Sequence, residues 1–294
     1  MEYVSVKSIL HRCRDTSWFG SDYNMNLYRG CCHGCIYCDS RSECYHIENF
    51  DKVRAKKDAA VILRDELRRK RRTGVIGMGA MSDPYNPFER TERLTEKALM
   101  LIDEFGFGVN VDTKSALITR DAALYRSIAQ HSPVLCKMTI TAADDSLCRL
   151  IEPNVSTSSE RFAALEKLSA TGVKTCILMN PILPFMTDNA ENITAIVRRA
   201  AEVGVMGIFT YLGVTLRQNQ REYFYDRLDE RFAGLHARYA RQFGGAYECF
   251  SPNSSMLWKV FISECEKHNI LYDMNDITAA YKSGYGDSQL SFFD

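Results

Sequence analysis

The 294-residue chain carries 37 basic and 37 acidic side chains, 46% hydrophobic residues and 11 cysteines. That length allows one large single-core domain or two ordinary ones, and the apolar content supports a packed core and excludes a disordered chain. Zero formal net charge excludes a protein that holds nucleic acid by bulk electrostatics, though not one with a local basic patch.

The first 15 residues lack the apolar stretch of a secretory signal, and no apolar run approaches the roughly 18 residues of a membrane span. A cytoplasmic protein with no membrane partner is therefore expected. In a reducing compartment, and with an odd count, cysteines point to metal or cluster binding rather than to a disulfide framework.

From residue 23 onward, short apolar runs alternate with amphipathic ones. The order is strand 23–28, helix 55–72, strand 74–80, helix 89–105, strand 108–112 and helix 119–130. There follow strand 134–141, helix 159–171, strand 173–179, helix 189–203 and strand 207–214. Thr119 and Ser158 precede helix starts, and Gly106, Gly172 and Gly204 follow helix ends. Strands alternating with helices of this length predict an α/β protein of right-handed βαβ units around a parallel sheet. Six strands and five helices suit a partial (β/α)6 TIM-like barrel or a doubly wound sheet, and periodicity does not choose between them. Beyond residue 217 the pattern predicts helices over 218–243 and 254–268 with no strand between them. The expected organisation is a barrel over 1–217, a helical extension over 218–282 and a flexible tail over 283–294.

Six of the 11 cysteines fall within the first 44 residues: Cys13, Cys31, Cys32, Cys35, Cys38 and Cys44. They lie around the end of the first barrel strand, where parallel α/β proteins place their chemistry. Three readings compete. Cys32, Cys35 and Cys38 open a ferredoxin-type C-x2-C-x2-C-x3-C-P run, but Ser42 stands where the fourth cysteine belongs. Cys35, Cys38, Cys44 and His46 have the residue types of a zinc site without its paired spacing. Cys31, Cys35 and Cys38 form C-x3-C-x2-C, and three thiolates on a four-iron cluster leave one iron open to bind a small molecule directly. Gly30 and Gly34 allow the tight backbone wrapping that such a loop demands. His33, inside the loop, orders it rather than ligating.

The third reading, with Tyr37 as the aromatic before the last cysteine, resembles the radical S-adenosylmethionine (SAM) superfamily. Further segments resemble its spore photoproduct lyase-like branch: Ser82-Asp-Pro-Tyr-Asn-Pro-Phe-Glu89, Thr113-Lys-Ser115, Thr139-Ile-Thr141, and Ile151-Glu-Pro-Asn154 ahead of the helix that carries Arg161. The likeness covers residues 20–215. It implies a partial barrel with a C-terminal helical extension and a [4Fe–4S] cluster held by Cys31, Cys35 and Cys38, with SAM chelated to the open iron. It further implies reductive cleavage of SAM to a 5′-deoxyadenosyl radical that abstracts hydrogen from substrate. Lys114 is implied as the cation for the SAM carboxylate and Thr139 as a polar group for its ribose, with Tyr37 and Asp83 in the cofactor site. Cys32 is the alternative to Cys31 as a ligand. Cys249, near a loop, is the candidate hydrogen donor to a product radical. Cys136, Cys148 and Cys176, on apolar segments, read as buried small hydrophobes. Asn180, Pro181, Tyr85 and Tyr211 are candidate lining residues.

The branch resemblance implies a lyase-like, DNA repair-like reaction on nucleic acid. The same chemistry on a small molecule, a peptide or RNA is the alternative, as is a non-catalytic, metal- or cluster-stabilised binding protein. An electron donor of the flavodoxin or ferredoxin class is implied. Residues 52–72 hold ten basic side chains against three acidic ones, which reads either as a solvated helix face or as a phosphate-contacting patch. At the tail, Gln289, Leu290, Ser291, Phe292 and Phe293 resemble the bacterial sliding-clamp-binding pentapeptide, so a sliding clamp is a candidate partner.

Overall fold

The computed structural model describes residues 1–285. In chain order its elements begin with β1 (Glu2–Val4), β2 (Leu10–Arg12), β3 (Tyr23–Met25), β4 (Tyr28–Arg29), β5 (Arg54–Lys56), α1 (Ala59–Arg68) and β6 (Val75–Met78). Next come α2 (Glu89–Glu92), α3 (Leu94–Glu104), β7 (Gly108–Thr113), α4 (Ala122–Ile128), β8 (Val134–Thr139), α5 (Asp145–Ile151), α6 (Ser158–Ser169) and β9 (Lys174–Met179). The last third holds α7 (Ala190–Glu202), β10 (Gly207–Thr210), β11 (Gly213–Thr215), α8 (Gln220–Arg231), α9 (Leu235–Phe243), β12 (Glu248–Phe250), α10 (Ser254–Lys267) and α11 (Met274–Lys282).

The six expected barrel strands pair in sequence order. β3, β6, β7, β8, β9 and β10 run parallel, with Met25 opposite Met78, Val111 opposite Cys136 and Leu178 opposite Phe209. β2 adds an antiparallel strand beside β3, so the sheet has seven strands and is a partial TIM-like barrel. The helices fall where the periodicity put them and carry local start signals. Thr157 and Glu160 form a capping box at α6, and the Asn189 side chain accepts the Asn192 N–H at α7.

The helix read over 55–72 opens with β5, the one read over 218–243 divides into α8 and α9 at Gly234, and three further local readings change. The predicted 23–28 strand divides, because Tyr28–Arg29 leaves the barrel and pairs with β5 in a small second sheet, β1-β5-β4. The single helix read over 89–105 breaks at Arg93, whose φ is +52°. The extension does contain a strand: β12 pairs antiparallel with β11. Three residues are too few for a period-2 signal to emerge from the flanking helices.

The region 218–282 packs in three places. α8 and α9 cover a second apolar core that includes Cys35, Ile36, Tyr37, Phe224, Leu228 and Tyr239. α10 packs along α7. α11 closes the barrel end where the strands begin: Ile277 and Tyr281 pack with Phe19, Val75, Leu135 and Cys176, and the Tyr281 hydroxyl donates to the Phe19 carbonyl at 2.6 Å. With that end plugged, the interior opens at the C-terminal ends of the strands. Among the described residues no helix is long and apolar enough to cross a membrane.

The basic 52–72 segment is not one face. Lys52 pairs with Glu2, Arg64 with Glu104, and the Lys70 ammonium lies over the Tyr23 ring. Residues 68–72 lie between the end of α1 and the start of β6, at the plugged end of the barrel. A phosphate-contacting patch there would face away from the interior opening.

Candidate active site

The loop from Gly30 to Asp39 leaves the barrel through β4 and turns back beneath α8. Gly30 has φ +79°, and a Cβ there would lie 2.6 Å from the Phe50 carbonyl oxygen, so only glycine fits. Gly34 has φ +70° and packs against Pro153. The α5–α6 connection clamps this loop. Ile36 N–H donates to the Ile151 carbonyl at 3.0 Å, Asn154 N–H to the His33 carbonyl at 3.1 Å, and the Asn154 amide to the Cys32 carbonyl at 3.0 Å. From the other side the Gln220 amide donates to the Tyr37 carbonyl at 2.9 Å. The Ile-Glu-Pro-Asn segment is thus a strap across the cysteine loop.

Cys31, Cys35 and Cys38 line one open cavity. It lies at the C-terminal ends of the barrel strands, and Asp83, Asp112, Lys114 and Thr139 share its wall. Cys32 does not line it and packs against the main core instead. The zinc set does not assemble: Cys44 is exposed beside Ser42 and Arg217, and no described trio of His, Cys, Asp or Glu side chains is arranged to hold a single metal ion.

Burial dominates the titration of the three thiols. It pushes Cys31 up to about 12, with a smaller contribution from Cys38, and it raises Cys35 and Cys38 despite the nearby Lys114 ammonium. Cluster formation here must therefore displace three protons. Burial also pushes the Lys114 ammonium down, but the charges of Cys35 and Glu152 outweigh it and hold it above the ordinary lysine value. Its Nζ lies 5.7 Å from the Tyr37 ring centroid, and no described group accepts a hydrogen bond from it.

Asp83 works through its neighbours. One oxygen accepts from the Thr113 hydroxyl at 2.7 Å and the Tyr85 N–H at 2.8 Å, and the other accepts from the Lys114 N–H at 2.8 Å. That second oxygen also faces His33 Nδ1 at 3.5 Å. Burial lowers the His33 pKa, outweighing the opposing charge of Asp83. Tyr85 turns away from the cavity: its hydroxyl bonds Asp121 and Tyr125, and it is 1% exposed.

Tyr37 flanks the cavity rather than lining it. Its hydroxyl donates to Glu152, which forms a buried ion pair with Arg161 at 2.6 Å. Arg161 also donates to the Thr139 carbonyl at 2.7 Å and the Ser156 carbonyl at 2.8 Å. Burial pushes the Glu152 carboxyl up, but Arg161 and Lys114 outweigh it and hold it below the ordinary value. One ion pair thus positions the last loop aromatic, the β8 end and the strap.

Cys249 does not reach the cavity. It sits on β12 within the second core, with its thiol donating to the Ala246 carbonyl at 3.6 Å, because α8 and α9 cover that strand's inner face. Cys136, Cys148 and Cys176 are buried as expected, although Cys148 touches the Glu152–Arg161 pair. Sequence reasoning gave no role to Glu152, Arg161, Asp112 or Lys137. Lys137 is fully buried, 2.8 Å from Asp112 and 2.9 Å from Asn110 beneath the cavity. A lysine in the apolar run Val-Leu-Cys-Lys-Met-Thr was the available signal of a buried partner.

Comparison with known proteins agrees with this fold. The Radical SAM superfamily model matches residues 25–195. An uncharacterized protein of Mycobacterium tuberculosis is 30% identical over 243 residues, spanning 80% of this chain and 71% of that protein. An uncharacterized protein of Methanocaldococcus jannaschii is 31% identical over 169 residues, 58% of this chain and 63% of its own length. Among solved structures, a mutant spore photoproduct lyase with bound AdoMet and dinucleoside spore photoproduct superposes with a TM-score of 0.63 at 14% identity, covering 90% of this chain and 78% of the other. The radical SAM methyltransferase TsrM from Kitasatospora setae, solved with tryptophan and a SAM analogue, gives 0.55 at 12% identity over 83% and 51% of the two chains.

Proposed function

The chain belongs to the radical SAM superfamily, whose members use a [4Fe–4S] cluster and SAM, and on that premise we propose that it is a hydrogen-abstracting enzyme acting on nucleic acid. The observation that carries the enzymatic reading is the cavity wall itself, where three thiols and a half-buried ammonium without a described acceptor face the same space. That donor set fits the cofactor pair. Cys31, Cys35 and Cys38 would hold the cluster, Lys114 the SAM carboxylate, and the Thr139 hydroxyl a ribose oxygen. When bound, the reduced cluster and SAM supply a 5′-deoxyadenosyl radical. The chain's own work is to orient these groups and to keep water out. The strap and the Glu152–Arg161 pair hold the loop, and α11 seals the far end of the barrel.

Aromatic residues beside the opening support a nucleic-acid substrate. Tyr211 follows β10, with its ring 5.2 Å from the exposed Phe250, and exposed Tyr247 lies under the Arg217 guanidinium, which pairs with Asp39 next to Cys38. Exposed aromatics with an adjacent arginine suit stacking of an unpaired base. The neighbouring lyase structure, bound to a dinucleoside photoproduct, supports the same substrate class. A thiol-quenched lyase reaction has weaker support, because the cysteines lining the described cavity are the three assigned to the cluster. Returned hydrogen would then come from the substrate, the cofactor or a partner. The electron comes from an external donor of the flavodoxin or ferredoxin class.

Anaerobic reconstitution followed by dithionite and SAM tests the enzymatic reading. Formation of 5′-deoxyadenosine is expected, and intact SAM in a fully reduced, iron-loaded sample would refute it. In the same preparation Lys114→Gln should weaken SAM binding by about 10–100-fold, the value of one charge-assisted contact, while the cluster absorbance stays intact. Unchanged SAM affinity would remove Lys114 from the site.

The pentapeptide at 289–293, which resembles a clamp-binding motif, lies outside the described residues. We keep the sliding clamp as a proposed partner. Deleting residues 289–294 should abolish capture of the chain on immobilised clamp, and undiminished capture would rule the segment out.

A further inference from the structure

A second concave site lies on the same end of the barrel as the cysteine cavity, on the outer side of the β9–α7 connection. Its wall includes Phe185, Asp188, Asn189, Arg238, Arg241 and Gln242. Arg238 and Arg241 are three residues apart on α9, hence on one helix face, and Gln242 lies beside them. Both arginines are exposed, and neither forms a hydrogen bond or an ion pair with a described residue. The Arg238 guanidinium lies over the Phe185 ring, 3.8 Å from its centroid, a cation–π contact that favours this position of the charge. The Tyr239 hydroxyl pins α9 to the Pro184 carbonyl at 2.9 Å, so the arginine face is rigidly set against the loop.

The remaining wall suits an anion. α7 begins at Ala190, and its positive end faces the cavity through Asn189. Asp188 is the one carboxylate among the lining residues. It accepts from the Ser251 hydroxyl at 2.7 Å, and its single charge offsets the two guanidiniums only in part. Two unpaired guanidiniums with an amide beside them match the several oxygens of a phosphate better than a single carboxylate. Pro252 and Asn253 close the wall, two and three residues beyond exposed Phe250. The stacking edge of the opening therefore runs directly into this cavity.

We propose that the Arg238–Arg241 cavity is a phosphodiester subsite, which holds the backbone of a nucleic-acid strand flanking the nucleotide at the cysteine cavity. This rests on the nucleic-acid reading above and assigns α9 a role in substrate binding. Fluorescently labelled single-stranded DNA and RNA of equal length are the probes, titrated onto the iron-loaded protein across a range of salt concentrations. The double variant Arg238→Gln/Arg241→Gln should bind the preferred strand at least about tenfold more weakly at 150 mM salt. Its log affinity against log salt should be shallower by about 1.4, the value of two single-strand phosphate contacts. Far-UV circular dichroism and iron content verify its fold. Arg68→Gln/Arg69→Gln removes the same charge at the plugged end and should change neither quantity by as much. If the wild type binds a strand and the α9 variant keeps its affinity and salt slope, the subsite is wrong and the nucleic-acid reading stands. An equal loss in the Arg68/Arg69 control also overturns the subsite, since the effect would then be bulk charge. If the wild type binds neither DNA nor RNA at low salt, the nucleic-acid reading falls and takes the subsite with it.

Discussion

Cys31→Ala, Cys35→Ala and Cys38→Ala are each expected to abolish cluster assembly after anaerobic reconstitution, whereas Cys32→Ala keeps it. The distinction rests on direction, since adjacent residues on a tight loop point to different sides. Cys31 lines the cavity, while the Cys32 side chain packs on the main core and its carbonyl accepts from Asn154. Even outer partners of a metal ligand are worth about 10–100-fold in affinity or activity, so losing a ligand should reduce 5′-deoxyadenosine formation by more than about 100-fold. Iron analysis and the visible absorbance of the cluster are the direct readouts. A Cys32→Ala protein without iron, beside a Cys31→Ala protein with a full complement, would reassign the triad to C-x2-C-x2-C.

The second large effect is on stability. Arg161 is fully buried and donates to Glu152, Thr139 and Ser156. Arg161→Met leaves the Glu152 carboxylate buried without its main counter-charge and strips two carbonyls of their donor. Removing one partner of a buried pair costs about 3–5 kcal/mol, which lowers the midpoint of thermal unfolding by roughly 10 °C in a chain of this size. Glu152→Gln on the Arg161→Met background removes the orphaned charge and retains an acceptor for the Tyr37 hydroxyl. The double variant should therefore recover part of the loss. A single Arg161→Met cost below about 1 kcal/mol, or a double variant no more stable than the single, would show that the pair does not act as a unit. Because the pair holds Tyr37, iron occupancy should follow the same order.

These two predictions differ in how visible their basis was. The triad was legible because C-x3-C-x2-C is local: three ligands and two glycines within nine residues. The pair was half visible. Glu152 and Arg161 both lie in segments that resembled the branch, but nothing in their spacing said that they meet each other or Tyr37, 115 residues from Glu152. Lys114, whose role the resemblance implied, lines the same cavity as the three thiols. Cys249 was misleading, because an apparent loop cysteine proved to be the inward residue of a three-residue strand beneath two helices.

The basic segment and the arginine cavity make the same contrast. Ten positive charges within 52–72 are conspicuous in the sequence, yet their C-terminal half sits at the plugged end of the barrel. Arg238 and Arg241 are unremarked in a mixed helix, yet they share a cavity with the loop that follows β9.

By itself the sequence determined the strand–helix alternation, the number of barrel strands and the cysteine loop, because each depends on periodicity, caps or spacing within about a dozen residues, whereas the order in which the strands pair came from the fold. Only the tertiary structure decided which thiols share a cavity, which end of the barrel is closed, and which charges are paired. Those outcomes are set by packing between segments far apart in the chain, and the free energy of burying a charge depends on the partner that the fold brings to it.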